Sequence, residues 1–165
     1  MSDLVQDALE LATYKLAGQF RSDRVTPYVE HPKAVMAIVR DEFGLRDAET
    51  LAAALLHDTI EDTTTDYDEL EEKFGRKVAT WVAVLTKDKR LPEARREREY
   101  FDGLKRGPLA AKFCKIADSL HNLRDSDDRK RPKAVKKAKK LLSIFKGVAA
   151  LKKPLEILRA EIGKR

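Results

Sequence analysis

The stretch LAAALLHDTIEDT, residues 51–63, decides how the chain is read. An apolar run from Leu51 to Leu56 ends abruptly at His57-Asp58, and Glu61-Asp62 follow one turn later. Ala and Leu are strong helix formers, and nothing between residues 51 and 63 is Gly or Pro. Residues three and four apart share a helix face, so the spacing makes neighbours of His57 and Glu61, and of Asp58 and Asp62. An imidazole and three carboxylates then crowd the end of a helix whose earlier turns are predicted to be buried. Crowded carboxylates repel, and a bound cation relieves that repulsion. The bland alternative is a hydrogen-bonded core histidine beside a solvated acidic helix end.

Working outward, the 165 residues suffice for one domain with a real core. No apolar run approaches the length of a membrane span, so no membrane partner is expected. The beginning, MSDLVQDALELATYKL, lacks a basic start and an apolar signal core, so a cytoplasmic location is expected. The one cysteine, Cys114, excludes an internal disulfide and fits a reducing compartment. The net charge of +6 conceals an asymmetry. Residues 129–165 carry fourteen Lys/Arg against two acids, whereas residues 1–128 carry twenty against twenty-six. The expected organisation is therefore a core over 1–128, with basic C-terminal helices at 129–165 packing on the same domain.

Helical periodicity dominates and strand patterning is nearly absent, so the fold class predicted is all-α, a bundle of about eight helices. A first helix is predicted over 3–20, with Leu4, Ala8, Leu11, Ala12, Leu16 and Phe20 on one stripe. Pro27 and Pro32 frame the loop that follows, and Pro32 suits the first turn of a helix over about 32–43. Phe43-Gly44 stops that helix, and Asp47 can cap the central one over about 48–59. Asp66 with Glu69 resembles a capping box for a short helix ending at Phe74-Gly75. Residues 76–86 follow, with Val78, Trp81, Val82 and Leu85 inward. Pro92 opens a charged helix to about Leu104. A second buried helix is predicted over 109–125, with Leu109, Phe113, Ile116, Ala117 and Leu120 inward. Pro132 and Pro154 start the last two.

An ion needs ligands from more than one helix. In KIADSLHNLR, residues 115–124, Asp118 and Asn122 share a face, and Asp118 lies behind apolar Ile116 and Ala117. A buried carboxylate requires a partner, either a metal or a basic side chain. His31 stands at an element boundary just before Pro32. His121 points about 100° away from Asn122 around the helix and reads as structural. Taken together, His31, His57, Asp58 and Asp118 offer two nitrogens and two oxygens. A set without thiolates disfavours structural zinc and suits Mn²⁺ best, with Fe²⁺, Co²⁺, Ni²⁺ and Zn²⁺ open.

The H…HD…D pattern of His31, His57-Asp58 and Asp118 resembles the HD-domain phosphohydrolases. TPYVEHP (26–32), AALLHDTIEDT (53–63) and KIADSLHNLR (115–124) are similar to the hydrolase domain of RelA/SpoT-type alarmone enzymes. FGRKVATWVAVLTKDKRLPEARRE (74–97) resembles the small stand-alone members, including the animal SpoT homologues. The resemblance covers about residues 4–128. It implies a Mn²⁺-dependent (p)ppGpp 3′-pyrophosphohydrolase, with His31, His57, Asp58 and Asp118 on the metal and Glu61 and Asp62 positioning and activating the water. It also implies that Arg21, Lys89 and Asn122 contact the nucleotide. Lys115 and Arg124 are further cations for its phosphates, with Lys136 or Lys137 beyond them. Ser119 departs from the family's usual Arg or Lys, and the segment after Arg124 lacks its usual aromatic and basic order.

Two other readings differ in class. One keeps the metal and changes the substrate, to NADPH or a nucleoside monophosphate. The other is a binding module using KRPKAVKKAKK (130–140) on nucleic acid. That tail has one aromatic, Phe145, for base stacking and no nucleic-acid motif, so a small-molecule nucleotide is the partner expected. Oligomeric state is left open by the sequence.

Overall fold

The computed structural model describes residues 3–164. Eight helices of two turns or more appear in order, with one single-turn helix among them. They are α1 (Asp3–Lys15), α2 (Glu30–Ala37), α3 (Ala48–Leu56), the single turn α4 (Thr59–Asp62), α5 (Tyr67–Leu85), α6 (Glu93–Arg106), α7 (Leu109–Arg124), α8 (Arg131–Ile144) and α9 (Lys152–Ile162). A π-helical turn, Ile38–Glu42, extends α2, and a 3₁₀ turn, Ala149–Leu151, leads into α9. The one β contact among the described residues is an isolated bridge, Phe20 to Pro27. The all-α class read from the sequence is the class observed.

The centre is α3. Seven of its nine residues are buried, and α1, α2, α5 and α7 all pack on it. Its apolar character follows from that position, since a helix covered on all sides has no face to give to water. Burying side chains such as Leu55 and Leu56, both fully shielded, contributes about 1.5–3 kcal/mol apiece. Asp47 caps α3 as its position predicts, accepting the Thr50 N–H at 2.9 Å. Asp66 likewise accepts the Glu69 N–H at 2.9 Å. The reciprocal half of that capping box is missing, because the Glu69 carboxylate instead takes Lys15 Nζ at 2.8 Å.

Several boundaries differ from the sequence reading, each for a local reason. The first helix stops at Lys15, not Phe20, because Gly18 turns the chain with φ +78°. Phe20 is then half exposed and joins the Pro27 bridge. The break expected after Phe74 is present, by contrast: Gly75, with φ +81°, kinks α5 between Phe74 and Arg76. Leu109 is the first residue of α7 and points outward, where an inward position was expected.

Behind α7, α8 and α9 pack against it and against each other. Arg131 ties the three together, donating to the carbonyls of Leu123 and Glu161 at 3.3 and 3.0 Å. Among the described residues no helix is long and apolar enough to cross a membrane.

Candidate metal centre

The α3 helix ends where its chemistry begins. His57 Nδ1 donates to the Ala54 carbonyl at 2.8 Å, and Thr59 Oγ1 donates to the Leu56 carbonyl at 2.7 Å. Side chains that take backbone carbonyls compete with the helical ladder, and the chain bends at His57-Asp58 before α4 resumes. The sequence predicts a helix to about residue 59. The break falls two residues earlier and turns His57 and Asp58 toward α2 and α7.

His57 Nδ1 carries the proton that Ala54 accepts, so Nε2 of the neutral ring is a lone pair. That atom is buried and has no hydrogen-bond partner. The carboxylate oxygen Asp58 Oδ2 lies 3.1 Å away, outside hydrogen-bond alignment with the ring. His31 Nε2 stands 3.7 Å from the same Asp58 oxygen and 3.1 Å from Asp118 Oδ1. Ligand atoms of His31, His57 and Asp118, all buried, lie within 4.8 Å of one another. Two imidazoles and two carboxylates thus converge from α2, the α3 end and α7. An orphaned buried nitrogen among acids and a second imidazole fits a divalent cation.

Without an ion, a proton fills part of that role. Burial pushes His57 toward the neutral form, but Asp58 and Asp118 outweigh it and raise the pKa to about 9. Burial also opposes ionisation of Asp118, yet Lys115 and His31 hold its carboxyl well below the usual range.

A second ring of contacts orients these groups. The Tyr28 hydroxyl donates to Asp58 Oδ2 at 2.8 Å. Burial and the charge of Asp58 push that phenol well above its ordinary pKa. Lys115 Nζ donates to Asp118 Oδ2 at 2.7 Å, and Asn122 donates to Asp118 Oδ1. His121 lies 2.8 Å from His31, Nδ1 to Nδ1. Burial, then His31 and Arg21, lower His121 to about 4, so its ring is neutral near pH 7. When His31 gives Nε2 to an ion, its Nδ1–H therefore donates to His121. The sequence reading assigned His121 only to structure; its place beside His31 depends on how α2 crosses α7, which spacing along one helix does not reveal. Tyr28 and Asp125 are likewise site neighbours that the sequence did not single out.

The remaining predicted residues divide. Glu61 and Asp62 face a groove shared with Tyr28 and Lys89. Glu61 Oε2 accepts the Lys87 N–H at 3.0 Å, while Lys89 Nζ donates to the Glu61 carbonyl at 2.8 Å and to Asp62 Oδ1 at 2.9 Å. Arg21 donates to Asn122 Oδ1 at 3.1 Å and to Asp125 Oδ2 at 2.7 Å, with its guanidinium 5.5 Å above the Tyr28 ring. Arg21, Lys115 and Asn122 line a cavity of about 510 Å³ that opens from Asp118. Arg124 does not join them. Its guanidinium is taken by Glu42, at 2.6 and 3.0 Å, and by Glu161 at 3.1 Å, on the side of α7 facing α9. Expected among the cations for the phosphates, it here clamps the π-helical turn and α9 to α7. Lys136 is exposed and absent from the cavity wall, whereas Lys137 lines it.

The sequence profile of the HD domain family matches residues 8–154. The chain belongs to the HD domain family. That span crosses residue 128 and takes in α8. A mouse relative named guanosine-3′,5′-bis(diphosphate) 3′-pyrophosphohydrolase MESH1 is 43% identical over 120 residues, 72% of this chain and 67% of its own length. The zebrafish (Danio rerio) protein of the same name is 48% identical over 100 residues, covering 61% of this chain and 56% of its own. A solved structure titled as a metazoan ortholog of SpoT that hydrolyzes ppGpp superposes with a TM-score of 0.85. It is 32% identical and covers 99% of this chain and 97% of that one.

Proposed function

We propose that this HD-domain protein is a Mn²⁺-dependent phosphohydrolase that removes the 3′-pyrophosphate of guanosine tetra- or pentaphosphate, releasing pyrophosphate and GDP or GTP. The observation that carries the reading is the orphaned Nε2 of His57, buried 3.1 Å from Asp58 Oδ2 in a cluster with His31 and Asp118. The names of the relatives supply the substrate. His31, His57, Asp58 and Asp118 would hold the ion. A divalent ion there supplies Lewis acidity toward a phosphoryl oxygen and acidifies water.

The protein groups do the rest. Glu61 has Oε2 fixed by the Lys87 N–H, which leaves Oε1 to take a proton from the attacking water. Asp62 orients that water from the next residue. Lys89, held between the Glu61 carbonyl and Asp62, is a point charge at the groove that a pyrophosphate can draw away. Tyr28 holds Asp58 through Oδ2, the oxygen beside His57, and His121 fixes the ring of His31. Arg21 and Asn122, the latter bonded to Asp118, form a hydrogen-bonded pair in the cavity wall for the nucleoside. Residues 129–165 complete the same domain rather than forming a second one. A soluble cytoplasmic enzyme is the matching location.

The test is product analysis after incubation with guanosine tetraphosphate and Mn²⁺, with and without chelator. The expected products are GDP and pyrophosphate, abolished by chelation. Release of single phosphates, or turnover of NADPH or dAMP in preference to the tetraphosphate, overturns the assignment.

A further inference from the structure

The charge asymmetry of the chain has a place in the fold. Residues 129–165 carry fourteen Lys/Arg against two acids, and the acids do little to offset them. Glu161 is buried and already taken by Arg124 and Lys164, at 3.1 and 2.9 Å. That leaves Glu156 as the one exposed acid among residues 129–164.

The lysines of α8 divide by face. Lys130, Lys133 and Lys137 border the cavity beside Asp118, and Lys140 Nζ lies 4.0 Å from the centre of the Phe101 ring. Lys136 and Lys139, three apart, lie on the side of α8 away from the buried Ala138 and Leu141. Beyond them come Lys146, just past the end of α8, and Lys152 and Lys153 in the first turn of α9. All five are exposed, and none lines the cavity. None makes an ion pair among the described residues. Lys152 and Lys153 stand at the positive end of a helix with no acid in its first turn, where a cation is locally unfavourable. A face kept only for solubility mixes the two signs.

The chemistry of this face narrows its partner. The large apolar side chains that are exposed, Tyr14, Phe20, Val25 and Leu109, all precede residue 129. A protein interface has an apolar centre and is poor in lysine, and membrane docking draws on apolar side chains that enter the bilayer surface; this face offers neither. Phe145, the aromatic of the segment, is fully buried, so no base stacks on it. The lack of stacking aromatics counts against reading bases but not against holding a backbone. What the face presents is a row of point charges, suited to regularly spaced phosphates. At the helical rise, the stretch from Lys136 to Lys146 covers about 15 Å, the length of about four base pairs of duplex.

We infer that the outward side of α8 and α9, through Lys136, Lys139, Lys146, Lys152 and Lys153, is a docking surface for the phosphate backbone of a nucleic acid, held without regard to base sequence. The surface is separate from the cavity, and the inference goes beyond the proposed hydrolysis without depending on it.

The test is fluorescence anisotropy of a labelled RNA duplex of about 20 base pairs, titrated with the full chain between about 50 and 200 mM salt. Each phosphate neutralised contributes about −0.9 to the slope of log affinity against log salt, so five lysines should give about −4.5. The triple variant Lys139→Gln/Lys146→Gln/Lys153→Gln keeps helix-forming side chains. It should flatten that slope by about 2.7 and weaken binding about tenfold or more. Its circular dichroism spectrum and its turnover of guanosine tetraphosphate should equal the parent's; a lost turnover places these lysines at the cavity and overturns the inference. A control of the same net charge, Lys73→Gln/Lys77→Gln/Lys105→Gln on α5 and α6, should bind the duplex as the parent does. A duplex of unrelated sequence should bind equally well. No binding at about 50 mM salt, equal losses in the two triple variants, or a preference for one sequence overturns the inference. So does tighter binding to phosphatidylcholine vesicles containing about 30% phosphatidylserine than to the duplex, which makes the surface a membrane site instead.

Discussion

Replacing His121 by Phe tests whether the contact behind His31 sets ion affinity. Phe keeps a planar ring of similar size, and so preserves the packing of rings now 4.9 Å apart. It removes the acceptor 2.8 Å from His31 Nδ1. His31 is 1% exposed, so no water replaces the lost partner. Leaving a buried polar group unsatisfied costs about 1–3 kcal/mol. Losing the outer partner of a histidine ligand typically weakens metal binding about 10–100-fold, which is the same range in energy. The expected result is a rise of about that size in the Mn²⁺ dissociation constant, read by calorimetric titration, with an unchanged far-ultraviolet circular dichroism spectrum. His121→Gln, which restores an acceptor, should recover part of the loss. A dissociation constant for His121→Phe within threefold of the parent, in a folded protein, would refute the reasoning.

Glu61→Gln keeps the shape and the acceptor for the Lys87 N–H but cannot take a proton. It should retain Mn²⁺ while kcat falls about 10²–10⁴-fold, and preserved turnover removes Glu61 as base. Because His57 is raised to about 9 without the ion, it is protonated at pH 7 and must release that proton when its Nε2 lone pair is engaged. Binding enthalpy should therefore vary with buffer ionisation enthalpy near pH 7, and the dependence should vanish above about pH 9; a buffer-independent enthalpy near pH 7 contradicts this. Arg124→Ala should lower the melting temperature by a few degrees, since it frees Glu42 and the buried Glu161, while leaving KM unchanged. A selective rise in KM would return Arg124 to the substrate site.

Much of this arrangement was legible in the chain. The apolar run from Leu51 to Leu56 gave the buried central helix, Asp47 its start, and Gly44 and Gly75 two of the interruptions. These are local signals, and local physics produces them. The gathering of His31, His57, Asp58 and Asp118 was anticipated from residue chemistry and from the family resemblance. What stayed hidden depends on how helices cross. His121 meets His31 because α2 lies over α7, Arg124 is claimed by Glu42 and Glu161 from two other elements, and Lys137 faces the cavity because α8 folds back. The bend at His57-Asp58 lay between these cases. Its cause is two side chains bonding to carbonyls three residues behind them, a competition that helix propensity alone does not register.

Helix α7 serves two masters. One flank carries Asp118 and Asn122, and the opposite flank carries Arg124, gripped through Glu161 by the last helix of the chain. The helix that carries Asp118, an acid of the proposed metal centre, is thus also held from the C-terminal helix. Natural drift or laboratory grafting that rewrites the terminal helices for some other purpose therefore also repositions Asp118, so the two halves of this protein have to change together.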